Sequence, residues 1–139
     1  MSPSVNHSYI QATLIGALLK IEQYSVYFEL SIEIEGKEYI PDISVYYKRI
    51  FTPSHDLIRM VEMPLLAIEI ISPSQVLQEI IDKIEIYLQA GIKSCWLVIP
   101  ATCTITTYYE FEKPCTYSKD SVIDEKLNIS LSLSEIFPL

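Results

Sequence analysis

Several things are scarce in this chain of 139 residues, and each shortage closes off a class of protein. No apolar run approaches the roughly 18 residues that a membrane-spanning helix needs, so no membrane partner is expected. Histidine occurs only at His7 and His55, too far apart to form a His-based zinc motif. The cysteines, Cys95, Cys103 and Cys115, are odd in number and lack metal-ligand spacing, which points to reduced thiols in a cytoplasmic protein. The opening segment, Met1 to His7, lacks the basic-then-apolar layout of a signal peptide. Cations are few: 10 Lys and Arg stand against 18 Asp and Glu, a net charge of −8. Lys and Arg supply most non-specific affinity for DNA through phosphate contacts. A chain this acidic binds DNA only if its few cations, such as Lys48, Arg49 and Arg59, share a face, or if a divalent metal offsets its acids.

What is present is a chain that is 50% hydrophobic, enough for one domain spanning 1–139 and burying roughly two thirds of its unfolded surface. Two of its acids stand where an acid is expensive. Asp42 follows Pro41 in the segment Tyr39-Ile40-Pro41-Asp42-Ile43-Ser44-Val45, and Glu69 interrupts the apolar run Leu65-Leu66-Ala67-Ile68-Glu69-Ile70-Ile71. Both segments read as short strands, rich in β-branched and aromatic residues and bounded by turn residues. A buried carboxylate needs a partner or a metal, or it protonates. Two acids on neighbouring strands would suit a hard cation such as Mg²⁺.

The remaining pattern predicts a mixed α/β fold. Ile10, Leu14, Leu18 and Ile21 recur at helical spacing, giving a helix over 7–24. Residues 24–35 alternate as one half-exposed antiparallel strand, Glu35-Gly36-Lys37 turns, and 39–47 returns as its hairpin partner. Residues 48–64 read as a loop with room for one short helix. The run 65–71 is a central strand, and a helix follows from Ser72 or Ser74 to Ala90, with Gly91 closing it. A buried strand over 94–99 completes a βαβ crossover with a parallel pair. Strands over 104–109 and around 127–133, then a closing helical turn, finish the chain.

On the second helix, Leu77, Ile80, Ile81, Ile84 and Leu88 form the apolar stripe, with Lys83 at its edge and Tyr87 one turn on. A lysine there can run its stem along the core and carry its charge towards Glu69. Asp42, Glu69 and Lys83 would then supply two metal ligands and one cation, a set suited to phosphodiester hydrolysis. Glu29 is a possible third acid, or equally part of a solvated strand face. Tyr87 reads as the edge of the core and His7 as an exposed helix end. Each residue also has a plainer reading: Asp42 as a turn residue, Glu69 as half of a buried ion pair, Lys83 as a surface side chain.

The order Pro41-Asp42, Ala67-Ile68-Glu69-Ile70-Ile71-Ser72-Pro73-Ser74, Lys83-Ile84-Glu85-Ile86-Tyr87, Gly91-Ile92 and Trp96-Leu97-Val98-Ile99-Pro100 resembles the Uma-type family. These are restriction-endonuclease-like proteins, abundant in cyanobacteria, within the PD-(D/E)xK nuclease superfamily. The resemblance runs from the first helix to Leu133-Ser134-Glu135-Ile136-Phe137. It implies a restriction-endonuclease-like mixed sheet with an N-terminal helix and a βαβ crossover. It also implies a Mg²⁺-dependent endodeoxyribonuclease, with Mn²⁺ as substitute and DNA as substrate. The oligomeric state stays open, with a homodimer as one expectation because cutting both strands usually needs two active sites. Carried over by residue, Asp42 and Glu69 become metal ligands assisted by the Ile70 carbonyl. The superfamily usually places its lysine two residues after the glutamate, where this chain has Ile71, and the resemblance assigns that role to Lys83 on the following helix. The rival expectation is a nuclease fold kept as a non-catalytic binding or assembly module.

Overall fold

The computed structural model describes residues 3–138; Met1 and Ser2 of the opening segment, and Leu139, lie outside them. Helix α1 spans Val5–Leu18 and is capped by Ser4, whose Oγ accepts the His7 N–H at 3.1 Å. That is the expected use of a serine at this position. The helix ends six residues before the predicted Tyr24, because Lys20 and Ile21 bond back three residues rather than four and the chain turns away.

Four short strands follow: β1 (Tyr24–Phe28), β2 (Ile32–Ile34), β3 (Lys37–Tyr39) and β4 (Ile43–Tyr47). The single long hairpin expected from the alternation is therefore two ladders. β1 pairs with β4 as far as Phe28↔Ile43, and the Glu29 N–H reaches the Asp42 carbonyl at 3.1 Å. Glu29 then takes φ +50, a left-handed conformation uncommon outside Gly, Asn and Asp, and breaks the strand. β2 and β3 pair separately around Glu35-Gly36, both with positive φ, which matches a two-residue hairpin turn of the mirror-image kind. Residue alternation alone cannot distinguish one ladder from two, since a break of this kind leaves the hydrophobic period intact.

Residues 48–64 carry no helix. Met60 instead bridges to Ile32, exchanging backbone bonds of 2.9 Å with Ser31 and Glu33. Then come β5 (Leu66–Ile70), α2 (Leu77–Gln89), β6 (Ser94–Ile99), a 3₁₀ turn (Pro100–Thr102), β7 (Thr104–Tyr108) and β8 (Cys115–Tyr117). The six-stranded sheet has the order β1-β4-β5-β6-β7-β8, parallel at β5–β6 and antiparallel at every other pairing. α2 starts later than its serines suggest. Ser72 to Gln75 form a turn of their own, with the Ser72 N–H donated to Gln75 Oε1 at 2.8 Å, and Val76 stands at the helix start without a side-chain cap. Gly91 closes the helix with φ +101, as expected.

β9 (Ser121–Asp124) and β10 (Ile129–Ser132) form a second small sheet, followed by α3 (Leu133–Ile136). β8 and β9 were not visible in the sequence pattern. The core divides across the main sheet. Leu66, Ile68 and Ile70 of β5 pack with Leu14 and Leu18 of α1, with Ile136 of α3 and with the small sheet's Val122 and Leu131. Ala67 packs on the other side with Ile80, Ile84 and Tyr87 of α2. Each such leucine, isoleucine or valine, buried to within a few per cent, contributes about 1.5–3 kcal/mol. Strand side chains alternate between faces, so Glu69 joins Ala67 on the α2 side.

Candidate functional site

The site grows from the β4–β5 ladder. Its register pairs Ile43 with Ile68 and Ser44 with Ala67, so one further step sets Asp42 opposite Glu69. Opposed residues of an antiparallel pair face the same side, with Cβ atoms roughly 4.5–5.5 Å apart. Asp42 Oδ2 also accepts the N–H of Ile70, the residue after Glu69, at 2.7 Å. The proline before Asp42 and the break at Glu29 end the ladder there, which places the acids at the rim of the sheet.

Glu69 is 4% exposed, and its Oε2 accepts the Tyr87 hydroxyl at 2.7 Å. Burial, and then the charge of Asp42, push its carboxyl up to about 8; the Tyr87 bond and the charge of Lys83 act the other way. Asp42 is also raised, first by burial and to a smaller extent by Glu29, against the Ile70 N–H and His7, which favour its ionised form. The causes are those expected when two carboxylates share a poorly solvated site. Lys83 is half-buried on α2, one turn before Tyr87, and acts on Glu69 through space. It makes no ion pair within 4.0 Å among the described residues. Tyr87 is not at the core edge: it is 1% exposed and stacks edge-on against Tyr39, at 5.9 Å between ring centroids.

The structure overturns the expectation for His7. It is 5% exposed, and its Nε2 lies 3.1 Å from Asp42 Oδ2. One turn on, Gln11 donates through Nε2 to the Asp42 carbonyl at 2.9 Å and to Glu29 Oε2 at 3.3 Å. Positions 7, 11, 14 and 18 share one buried face of α1, so two polar residues in a stripe otherwise made of leucines were the available signal. Glu29 itself is exposed. With His7, Ile40, Asp42, Ser72 and Gln75 it lines a cleft of about 170 Å³. Larger clefts, of about 480 and 490 Å³, lie at the β2–β3 hairpin and beside Tyr109 and Phe111, and neither is lined by the paired acids. The smaller one is lined by Asp42 but not by Glu69.

Among the described residues, no three His, Cys, Asp or Glu side chains converge as a metal cage. No helix among them is long and apolar enough to cross a membrane. The family model Uma2, described as "Putative restriction endonuclease", matches residues 1–138. A solved structure described as a putative nuclease belonging to DUF820, from Anabaena variabilis, is similar in fold, with a TM-score of 0.82 and 21% identity. The likeness covers 99% of this chain and 83% of that one. Comparison with curated proteins finds no match. With nearly its whole length matched and a nuclease-like mixed α/β fold beneath the match, the chain belongs to the Uma2 family of restriction-endonuclease-like proteins.

Proposed function

We propose that this protein is a divalent-metal-dependent endodeoxyribonuclease that hydrolyses phosphodiester bonds in DNA. The observation that carries the reading is the opposed pair Asp42 and Glu69, two acids in one poorly solvated corner with too few donors to satisfy them. The donor set fits a hard cation. Mg²⁺ binds through one or two carboxylates, keeps several waters and takes phosphate oxygens from its substrate, so a third converging acid is not required. Asp42 and Glu69 would hold it, with the Ile70 carbonyl assisting and Mn²⁺ as a substitute. When bound, such a cation lowers the pKa of a water it carries and offsets charge building on the phosphate.

The chain's own groups divide the remaining work. Tyr87 fixes one oxygen of Glu69 and so its rotamer. Lys83 supplies a positive charge on the α2 side of the sheet, which orients the attacking water and counters charge on the phosphate in flight. Glu29, at the mouth of the cleft, is an accessory acid within electrostatic reach of Asp42. Cutting both strands of a duplex calls for two such sites, which a homodimer provides.

The net charge of −8 favours a second reading, a nuclease fold retained as a binding or assembly module. Supercoiled-plasmid nicking with Mg²⁺ or Mn²⁺, with and without chelator, separates the two. Chelator-sensitive nicking that disappears in Asp42→Asn supports the nuclease. A wild type that neither nicks nor binds Mn²⁺ in calorimetry supports the module.

A further inference from the structure

Helix α1 packs mainly against the opposite face of the sheet from Glu69, yet its first two turns reach Asp42. His7 and Gln11 grip the same residue at two points, one at the side chain and one at the backbone carbonyl of Asp42. Ser4 secures the start of the helix through the His7 N–H. We propose that His7 is a positioning residue for Asp42: its Nε2–H, with the Ile70 N–H, occupies Oδ2 and leaves Oδ1 as the oxygen offered to a divalent cation.

The geometry identifies the donor nitrogen. Nε2 is the nitrogen beside the carboxylate at 3.1 Å, while Nδ1 is buried with no hydrogen-bond partner among the described residues. Two donors on one oxygen fix the carboxylate torsion, which for a free aspartate is broad and roughly two-fold. Donors behind a ligating carboxylate are known to hold it ready for metal, and losing one commonly weakens metal binding about 10–100-fold. Gln11 adds the backbone half of the same grip. By bonding both the Asp42 carbonyl and the Glu29 carboxylate, it ties the start of β4 to the left-handed turn where β1 stops.

This inference rests on Asp42 and Glu69 being a cation site, and the test separates the two claims. Mn²⁺ binding is measured by calorimetry on chelator-stripped protein for wild type, His7→Ala, His7→Phe and His7→Gln, with thermal melts to confirm folding. His7→Phe fills the buried space without a donor, so it serves if the alanine variant does not fold. His7→Gln restores an N–H near the Nε2 position. The expected result is Mn²⁺ affinity reduced about 10–100-fold in the alanine and phenylalanine variants and restored to within about threefold of wild type by glutamine. Wild-type affinity or tighter binding in folded His7→Phe overturns the proposal while leaving the cation site standing. Weak binding by folded His7→Gln, equal to that of His7→Phe, also overturns it, because the donor is then not what matters. A wild type without Mn²⁺ affinity removes the cation site itself, and the positioning role with it.

Discussion

Two places in this protein bury carboxylates, and they treat them in opposite ways. Asp124, fully buried at the end of β9, is surrounded by donors: the Ser94 hydroxyl, the Trp96 indole N–H at 2.8 Å and the Leu127 N–H at 3.0 Å. Through Ser94 and Trp96 it ties the small C-terminal sheet to β6. Glu69 is nearly as buried but has one hydroxyl donor and an acid across the ladder. A buried carboxylate with its lone pairs occupied is a structural fixture. One left short of donors beside another acid either keeps a proton or needs a cation beside it. The difference lies in the supply of partners rather than in depth.

The largest expected effect comes from breaking the satisfied side. Asp124→Ala would strand three buried donors, each costing about 1–3 kcal/mol when left unpaired, so the loss of stability should be about 3 kcal/mol or more. Denaturant midpoints measure it, and they should move as far in the presence of Mn²⁺ as in its absence. A variant as stable as wild type would dissolve the comparison.

On the under-satisfied side, Lys83→Met keeps the aliphatic stem against the core while deleting the charge. Loss of one electrostatic stabiliser commonly lowers a rate by a factor of roughly 100 to 1,000. Plasmid nicking should fall by that factor while Mn²⁺ affinity and the melting temperature stay close to wild type. Equal nicking by both proteins removes Lys83 from the mechanism.

Glu69 sharpens the contrast through pH. Its folded carboxyl is raised from 4.5 to about 8, so without metal the folded state keeps a proton that the unfolded chain releases. The stability from that proton is full below about 4.5 and is lost as pH climbs through about 8. Melts of metal-free wild type and Glu69→Gln should therefore lie close together at acid pH and diverge towards alkaline pH, where the glutamine variant becomes the more stable by a few degrees. A difference that does not change with pH would mean that Glu69 is not strained by its site.

The smallest effect belongs to Asp42→Asn. The amide oxygen can still accept from Ile70 and His7, but the charge that repels Glu69 is gone. The apoprotein should melt a degree or two higher at alkaline pH, and the stabilisation that Mn²⁺ gives the wild type should vanish. Marked destabilisation of the apoprotein would recast Asp42 as a structural turn or ion-pair residue.

Much of this contrast was legible in the residues, though unevenly. Glu69 stood out because a single charge interrupts a run of aliphatics, and its strand, crossover helix and parallel partner appear where the hydrophobic period put them. The Asp42–Glu69 pairing was less visible. It depends on which strands neighbour one another, and the predicted hairpin turned out to be split at Glu29 by a backbone conformation that no side-chain pattern announces. His7 and Gln11 were hidden for a different reason: polar residues near a helix start look solvated until tertiary packing brings them against a sheet edge. Asp124 escaped notice because Glu125 and Lys126 beside it give the appearance of an exposed charged turn. β8 and β9 are three and four residues long, too short for a period to establish itself.

The most direct test of the contrast is the anomalous difference map of a crystal soaked in Mn²⁺. The account expects a peak between the carboxylates of Asp42 and Glu69, with ligand distances of roughly 2.0–2.6 Å, and none at Asp124. A map with no peak at the paired acids, at Mn²⁺ concentrations that fill other sites, would contradict it.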